Sequence, residues 1–291
     1  MTLWTVTRNG KAAGKESRGI RVAKIARALT IAGSDSGGGA GIQADLKTFS
    51  ALGVYGASAI TAVTSQDTQR VYGVVEMEPA FVASQIDAVI ADIGVDAVKT
   101  GMLSSAAIIE AVVDRLRAWE VTTLVVDPVM VAKGGDKLLR DDAVSALREL
   151  LLPLAMVVTP NIPEAEVLVG RKLKGWDQIQ EAAREIHAMG VANVVIKGGH
   201  IEDDKMATDI LFDGKGFRDY TAPRVATQST HGTGCTFASA VAAMLAKGET
   251  VPLAVAGAKA YVTKALQSAY KLGHGHGPVH HFYRFWRPIE D

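Results

Sequence analysis

Residues 28–52 read Ala28-Leu29-Thr30-Ile31-Ala32-Gly33, then Ser34-Asp35-Ser36-Gly37-Gly38-Gly39-Ala40-Gly41, then Ile42-Gln43-Ala44-Asp45-Leu46-Lys47-Thr48-Phe49-Ser50-Ala51-Leu52. The opening run is apolar nearly throughout rather than alternating, as in a strand buried on both faces. After Gly41, apolar residues recur every three or four positions, which predicts an amphipathic helix over Gly41–Leu52. Five glycines among the nine residues Gly33–Gly41 exceed what a turn into a helix requires. They let the backbone approach a ligand, in front of a helix start that offers unpaired N–H groups.

This strand, glycine loop and helix form the first unit of a pattern that repeats outward. Val54–Val63, Ala97–Thr100, Leu124–Asp127, Met156–Thr159 and Asn193–Lys197 also read as buried strands. Helix-like stretches lie between them at Pro79–Asp92, Ala106–Trp119 and Gln178–Met189. Such alternation implies an α/β fold: a mostly parallel central sheet with helices on both faces. Asp209–Phe212 and Gly216–Tyr220 flank Asp213-Gly214, a hairpin signal that predicts an antiparallel edge. The segment Gly232–Lys271 reads as two helices separated by Lys247-Gly248. No long linker divides residues 28–291, so one domain is expected there.

Composition narrows the function. The chain has 291 residues, 48% hydrophobic and 21% charged, a globular rather than disordered balance. No apolar run approaches the ~20 residues of a membrane helix. The 31 basic residues match 31 acidic ones, which argues against a nucleic-acid partner. The one cysteine, Cys235, excludes an internal disulfide and favours a reducing compartment, the cytoplasm. Residues 1–27 hold seven of the basic side chains against a single acid, Glu16, without a secretory core, and read either as a flexible basic extension or as an organelle presequence.

In a parallel sheet, ligands bind in the loops leaving the carboxyl ends of the strands. The first such loop lacks the Gly-Lys-Ser/Thr ending of a P-loop. Gly39-x-Gly41-x-x-Ala44 fits a loose dinucleotide fingerprint, but Ser34–Gly38 separate those glycines from the strand. A second loop, His231-Gly232-Thr233-Gly234-Cys235-Thr236, opens a helix and would aim several amide N–H groups at one spot, an anion hole. Cys235 there is either an ordinary buried cysteine or a thiol pushed toward thiolate by the helix end. A Cys235–His231 pair is also conceivable, although no orienting acid is evident by spacing.

Three further strand ends add charge. Asn161 and Glu164 in Thr159-Pro160-Asn161-Ile162-Pro163-Glu164 sit three apart at a helix start, either as caps or as holders of a hydrated Mg²⁺. Lys197-Gly198-Gly199-His200 offers a lysine to grip phosphate, and Asp127-Pro128-Val129-Met130 adds a carboxylate. His274, His276, His280 and His281 crowd the C-terminus in a spacing that matches no usual zinc pattern.

Taken together, the loops resemble one family. The motifs are Gly38-Gly39-Ala40-Gly41-Ile42-Gln43-Ala44-Asp45-Leu46-Lys47-Thr48-Phe49, Lys99-Thr100-Gly101-Met102-Leu103, Asp127-Pro128-Val129-Met130, Thr159–Glu164, Lys197–His200, His231–Thr236 and Gly277-Pro278-Val279-His280-His281-Phe282. In order and spacing, from Ala28 to Trp286, the chain resembles the hydroxymethylpyrimidine/phosphomethylpyrimidine kinases of thiamine biosynthesis, in the ribokinase-like superfamily. The resemblance implies ATP-dependent phosphorylation of 4-amino-5-hydroxymethyl-2-methylpyrimidine and then of its monophosphate. It implies Gly232, Thr233 and Gly234 as the anion hole, Lys197 on the phosphates, and Asn161 and Glu164 organising Mg²⁺ with help from Asp127. Cys235 takes the place of the aspartate base of sugar-kinase relatives. Gln66 falls where the family binds the pyrimidine, with Gly33, Ala40, Asp45, Met102 and Val129 lining the rest of that pocket. A homodimer is the usual assembly of such relatives. Three rival readings are a pyridoxal or pyridoxine kinase, a non-catalytic sensor and an NAD-dependent oxidoreductase.

Overall fold

The computed structural model describes residues 25–130, 141–199 and 205–288. The basic stretch up to Lys24, and His200 of the Lys197 loop, lie outside the described residues. The predicted first strand is β1 (Arg27–Asp35), followed by α1 (Gly41–Ala51), β2 (Tyr55–Gln66), β3 (Val71–Glu76) and α2 (Pro79–Asp92). Then come β4 (Ala97–Thr100), α3 (Ala106–Ala118), β5 (Leu124–Val126), α4 (Asp141–Ala146), β6 (Val157–Val158), α5 (Ile162–Val169) and α6 (Gly175–Ala188). The chain continues through β7 (Val194–Ile196), β8 (Met206–Phe212), β9 (Phe217–Pro223), α7 (Thr233–Ala246) and α8 (Val251–Gln267).

The nine strands among the described residues form one sheet in the order β3-β2-β1-β4-β5-β6-β7-β8-β9. The six strands from β2 to β7 in that order pair in parallel. The β8–β9 hairpin forms the expected antiparallel edge, turning at Gly214 with φ +79. A second antiparallel edge, β3 on β2, occurs where no buried run exists, because Tyr72, Val74 and Val75 are solvent-exposed.

Both faces of the sheet are covered, and alternate side chains separate them. Leu29, Ile31, Val98, Val126, Val158 and Ile196 pack against Val82, Ile86, Ile108, Val112, Leu168 and Ala182 on one face. Ala28, Val125, Val157, Val195 and Leu211 pack against Phe49, Phe237, Val241, Val255 and Tyr261 on the other. Continuous apolar strands are therefore required, as their sequences show.

Arg27, read from sequence as the end of the basic head, is instead the first residue of β1. Its guanidinium sits 3.1 Å from Asp96, and its Nη1 donates to the Ile93 carbonyl. No helix among the described residues is long and apolar enough to cross a membrane.

Candidate active site

The chain leaves β1 for β2 on one side of the sheet and later returns to β4 on the other. At such a reversal, neighbouring loops diverge and open a crevice beyond the strand ends. A cavity of about 670 Å³ occupies this position, lined from the ends of β1, β2, β4 and β5 through to α7 and α8. Gly33, Ala40, Gln66, Met102, Asp127, Val129, Asn161, Glu164, Lys197, Gly232, Thr233, Gly234 and Cys235 all line it. The residues singled out in sequence thus come together, with one exception.

That exception is Asp45, which does not reach the cavity. It points from α1 into the protein and is fully buried. Its carboxylate sits 2.9 Å from the equally buried Lys99 ammonium and accepts hydrogen bonds from Thr30 and Ser239. A buried charge is stable only when paired in this way. Burial disfavours the charged form of Lys99, but Asp45, Cys235 and Asp127 around it outweigh that and raise its pKa. Asp45 therefore holds a cation under the cavity floor, where Lys99 contributes to the lining.

The two glycine loops meet directly. Gly232 caps α7 with φ +74, and a side chain there would collide with the Gly39 carbonyl. Asp35, at the end of β1, accepts from the amides of Gly37, Gly39 and Ala40 at 2.8, 3.1 and 2.8 Å. The same carboxylate lies 2.8 Å from His231 Nε2 at the root of the second loop. A carboxylate only accepts, so Nε2 carries the proton. Burial would raise the Asp35 pKa, but the bonds from His231, Ala40 and Gly37 win and hold it below the usual carboxylate range. No spacing rule could pair residues 196 positions apart.

Gln66 ends β2 in an adjacent position. Its backbone N–H and C=O both bond to the Ser36 hydroxyl at 2.8 Å, and Thr64 donates to its side-chain oxygen at 3.2 Å. The Gln66 amide nitrogen touches the protonated His231 Nε2 at 3.5 Å, a contact between two donors. This leaves the amide N–H groups to a ligand over the apolar faces of Met102 and Val129.

At the other end, Lys197 Nζ donates to Asp127 Oδ1 at 3.2 Å and lies 3.3 Å from the place a Cβ on Gly234 would occupy. The first amides of α7 have no carbonyl partner within the helix, and they face the same region. Burial works against the charge on Lys197, but Asp127 and Glu164 raise its pKa overall. Asn161 and Glu164 form a reciprocal capping box on α5, each side chain accepting the other's backbone N–H at 2.8 Å. Capping does not exhaust Glu164, whose second oxygen is not used in the box. Burial, opposed by Lys197 and reinforced by Asp127, pushes its carboxyl up to about 7.

Of the two readings of Cys235, burial favours the neutral thiol. The half-buried thiol accepts a backbone hydrogen bond from Gly41 and has Lys99 nearby, yet burial with Asp127 and Asp45 pushes it up to about 12. The helix-end field is weaker than desolvation here. The C-terminal histidines have structural partners: His281 Nε2 meets the Thr236 hydroxyl at 3.0 Å, and His280 Nε2 meets the Trp286 carbonyl at 3.0 Å.

Several cavity residues gave no signal in sequence. Lys259 of α8 pairs with Asp209 of β8 at 2.9 Å, and Asp209 accepts the Gly198 N–H at 3.0 Å. With Pro223, Val225, Val262 and Leu266 they line the same cavity.

The phosphomethylpyrimidine kinase family model matches residues 35–280. The chain is 50% identical over 258 residues to the hydroxymethylpyrimidine/phosphomethylpyrimidine kinase of Bacillus subtilis, covering 89% of this chain and 95% of that one. It is 55% identical to the thiamine biosynthesis bifunctional protein of Geobacter sulfurreducens, over 87% of this chain and 51% of the relative, so it spans about half that protein. Among solved structures, it superposes on an ADP complex of Bacillus subtilis pyridoxal kinase with TM-score 0.83 and 42% identity, covering 89% of this chain and 98% of that one. It superposes on phosphomethylpyrimidine kinase from Clostridium difficile 630 with TM-score 0.74 and 45% identity, over 84% of this chain and all of that one. A match over most of the cavity-bearing sheet, joined to identities near one half, means that this chain belongs to the phosphomethylpyrimidine kinase family.

Proposed function

We propose that the protein transfers the γ-phosphoryl group of ATP to 4-amino-5-hydroxymethyl-2-methylpyrimidine, and then to its monophosphate. One observation carries this reading: a carboxamide with an apolar bed and a cationic, amide-rich loop line the two ends of a single cavity. A carboxamide offers one acceptor and two donors, which suits a ring nitrogen beside an exocyclic amine. Phosphoryl transfer needs alignment and charge neutralisation more than covalent help. Lys197 and the first amides of α7 supply both, around Gly232–Gly234.

The hydroxyl proton leaves as the oxygen bonds to phosphorus. Cys235, a thiol kept neutral by burial, orients that hydroxyl, and the proton passes to an oxygen of the transferred phosphoryl group as ADP leaves. Val262 and Leu266 of α8 with Val225 offer an apolar wall to the nucleotide base. Asp127 and Glu164 would hold Mg²⁺. Two carboxylates, not three, suit an ion that keeps waters and phosphate oxygens, and two crowded acids with one carboxyl near 7 suit a cation. Mg²⁺ would neutralise charge developing on the phosphates.

The same proposal places residues 28–291 in one kinase domain, working in the cytoplasm as a homodimer. The cross-strand partners Val63 and Val75, both exposed at the β3 edge, support the dimer. Sedimentation tests it. Pyridoxal is the alternative substrate, favoured by the superposition on a pyridoxal kinase. A coupled assay of ATP turnover with hydroxymethylpyrimidine, its monophosphate and pyridoxal ranks the readings. The highest kcat/KM on the two pyrimidines supports the proposal, and the highest on pyridoxal replaces it.

A further inference from the structure

The C-terminal histidine- and glycine-rich stretch plays no part in the mechanism above, yet it touches the turn after Gln66 and the loop that begins at His231. After α8 the chain runs back across the loops as residues 270–278. It meets the turn between β2 and β3 first. The Gly275 N–H donates to the Thr68 hydroxyl at 3.0 Å, and the His276 N–H donates to the Thr68 carbonyl at 2.8 Å. A side chain on Gly275 would collide with that carbonyl, so the approach needs glycine. Thr68 lies two residues beyond Gln66 in a tight turn, where Asp67 accepts the amides of Gln69 and Arg70.

The same stretch then meets the second loop. The Gly277 carbonyl accepts the His231 N–H at 3.0 Å, Pro278 bridges to His231, and Ser229 donates to the Tyr270 carbonyl. His231 in turn touches the Gln66 amide. The strap thus bonds to the turn after Gln66 through Thr68 and to His231 through Gly277, on either side of the place where Gln66 and His231 touch. Two loops far apart in sequence are thereby tied to one strap.

We propose that residues 270–278 act as a brace that sets the position of Gln66 relative to the phosphate-binding loop, and that Thr68 is the positioning residue through which it acts. The brace makes pyrimidine affinity depend on a hydroxyl that touches no substrate. Gln66 without it keeps its Ser36 anchor but loses the restraint on its outer side. The nucleotide end, built on α7, α8 and β9, has no such dependence. The inference rests on the pyrimidine-kinase reading for its kinetic readout and on geometry alone for its structural one.

The test compares Thr68→Val, which removes the acceptor, with Thr68→Ser, which keeps it. Losing one partly buried hydrogen bond should raise KM for hydroxymethylpyrimidine roughly three- to tenfold in Thr68→Val. Its kcat and ATP KM should stay within about twofold, with Thr68→Ser close to wild type. Unchanged pyrimidine KM in Thr68→Val, ATP KM rising in step, or equal damage in Thr68→Ser overturns the brace. Amide hydrogen exchange in the ligand-free protein reads it independently of any substrate. Faster exchange across 66–70 and 275–276 in Thr68→Val, with α7 unaltered, supports the brace, and identical exchange overturns it. A wild-type protein that turns over no pyrimidine sinks the kinase reading instead, and the exchange result still decides the brace.

Discussion

Asp35 and His231 are joined at 2.8 Å across 196 residues, and the carboxylate that makes this bond is also the organising group of the first glycine loop. One side chain therefore shapes the first glycine loop and ties it to the second. Replacing it with Asn keeps the size but removes the charge that His231 and the amides of Gly37 and Ala40 favour. Asp35→Asn is expected to destabilise the protein by about 1–3 kcal/mol near neutral pH and to raise KM for both substrates. The folded pKa is depressed, so the stabilisation is present above the unfolded value of about 3.9 and lost as pH falls through the folded one. Urea melts should show the difference between wild type and variant shrinking toward acid pH. A gap that stays constant with pH contradicts the assignment.

The buried pair beneath the cavity makes a different prediction. Asp45→Asn leaves the Lys99 ammonium with no counter-charge at full burial and should cost about 3–5 kcal/mol. Combining Asp45→Leu with Lys99→Met removes both charges and should recover part of that loss, although the Thr30 and Ser239 hydroxyls lose their acceptor. Thermal denaturation of the singles and the double reads the coupling. If Asp45→Asn melts like wild type and only pyrimidine KM changes, Asp45 is a ligand residue after all.

Cys235 should be unreactive for its position. With the thiol at about 12, iodoacetamide should label the folded protein roughly tenfold or more slower than the unfolded chain near pH 8. Cys235→Ala is expected to cut kcat by about 10²-fold or more through lost alignment of the hydroxyl, while pyrimidine binding largely survives. Rapid labelling of the free protein would restore the thiolate reading, and near-full turnover in the alanine variant would take Cys235 out of the alignment of the reacting hydroxyl.

Much of this was legible in the residues, and the failures share a cause. The buried strands announced themselves because a parallel sheet covered on both faces needs Leu29, Ile31, Val98, Val125 and Val158 together. β3 did not, because its exposed Tyr72, Val74 and Val75 answer to no core. The eight-residue helix α5 was visible only as its capping pair, Asn161 and Glu164. Local chemistry likewise predicted the loops but not their contacts. The helix-end argument for Cys235 is local, whereas the desolvation that overrides it comes from the whole fold. Asp45 stands in a ligand-lining motif, yet α1 turns it toward Lys99. Asp35 and His231 are each ordinary until the fold brings them together.

Glu164 separates charge from capping. Its carboxyl sits near 7 in the folded protein, so between the ordinary glutamate range and 7 the unfolded chain ionises first, and stability falls as pH rises. Glu164→Gln keeps an N3 side chain that can accept the Asn161 N–H. The variant should gain stability over wild type progressively from roughly pH 5 to pH 8 while Mg²⁺-dependent turnover drops. A variant that loses stability equally at both ends of the range would make the capping bond, not the charge, the dominant effect.

The most direct test of one cavity joining two subsites is the steady-state kinetics of Gln66→Ala with hydroxymethylpyrimidine and ATP varied separately. The account predicts wild-type transfer of phosphate to the hydroxymethyl oxygen, and in the variant a pyrimidine KM raised roughly tenfold with ATP KM little changed. Absence of transfer in the wild type, or equal loss toward both substrates in the variant, contradicts it.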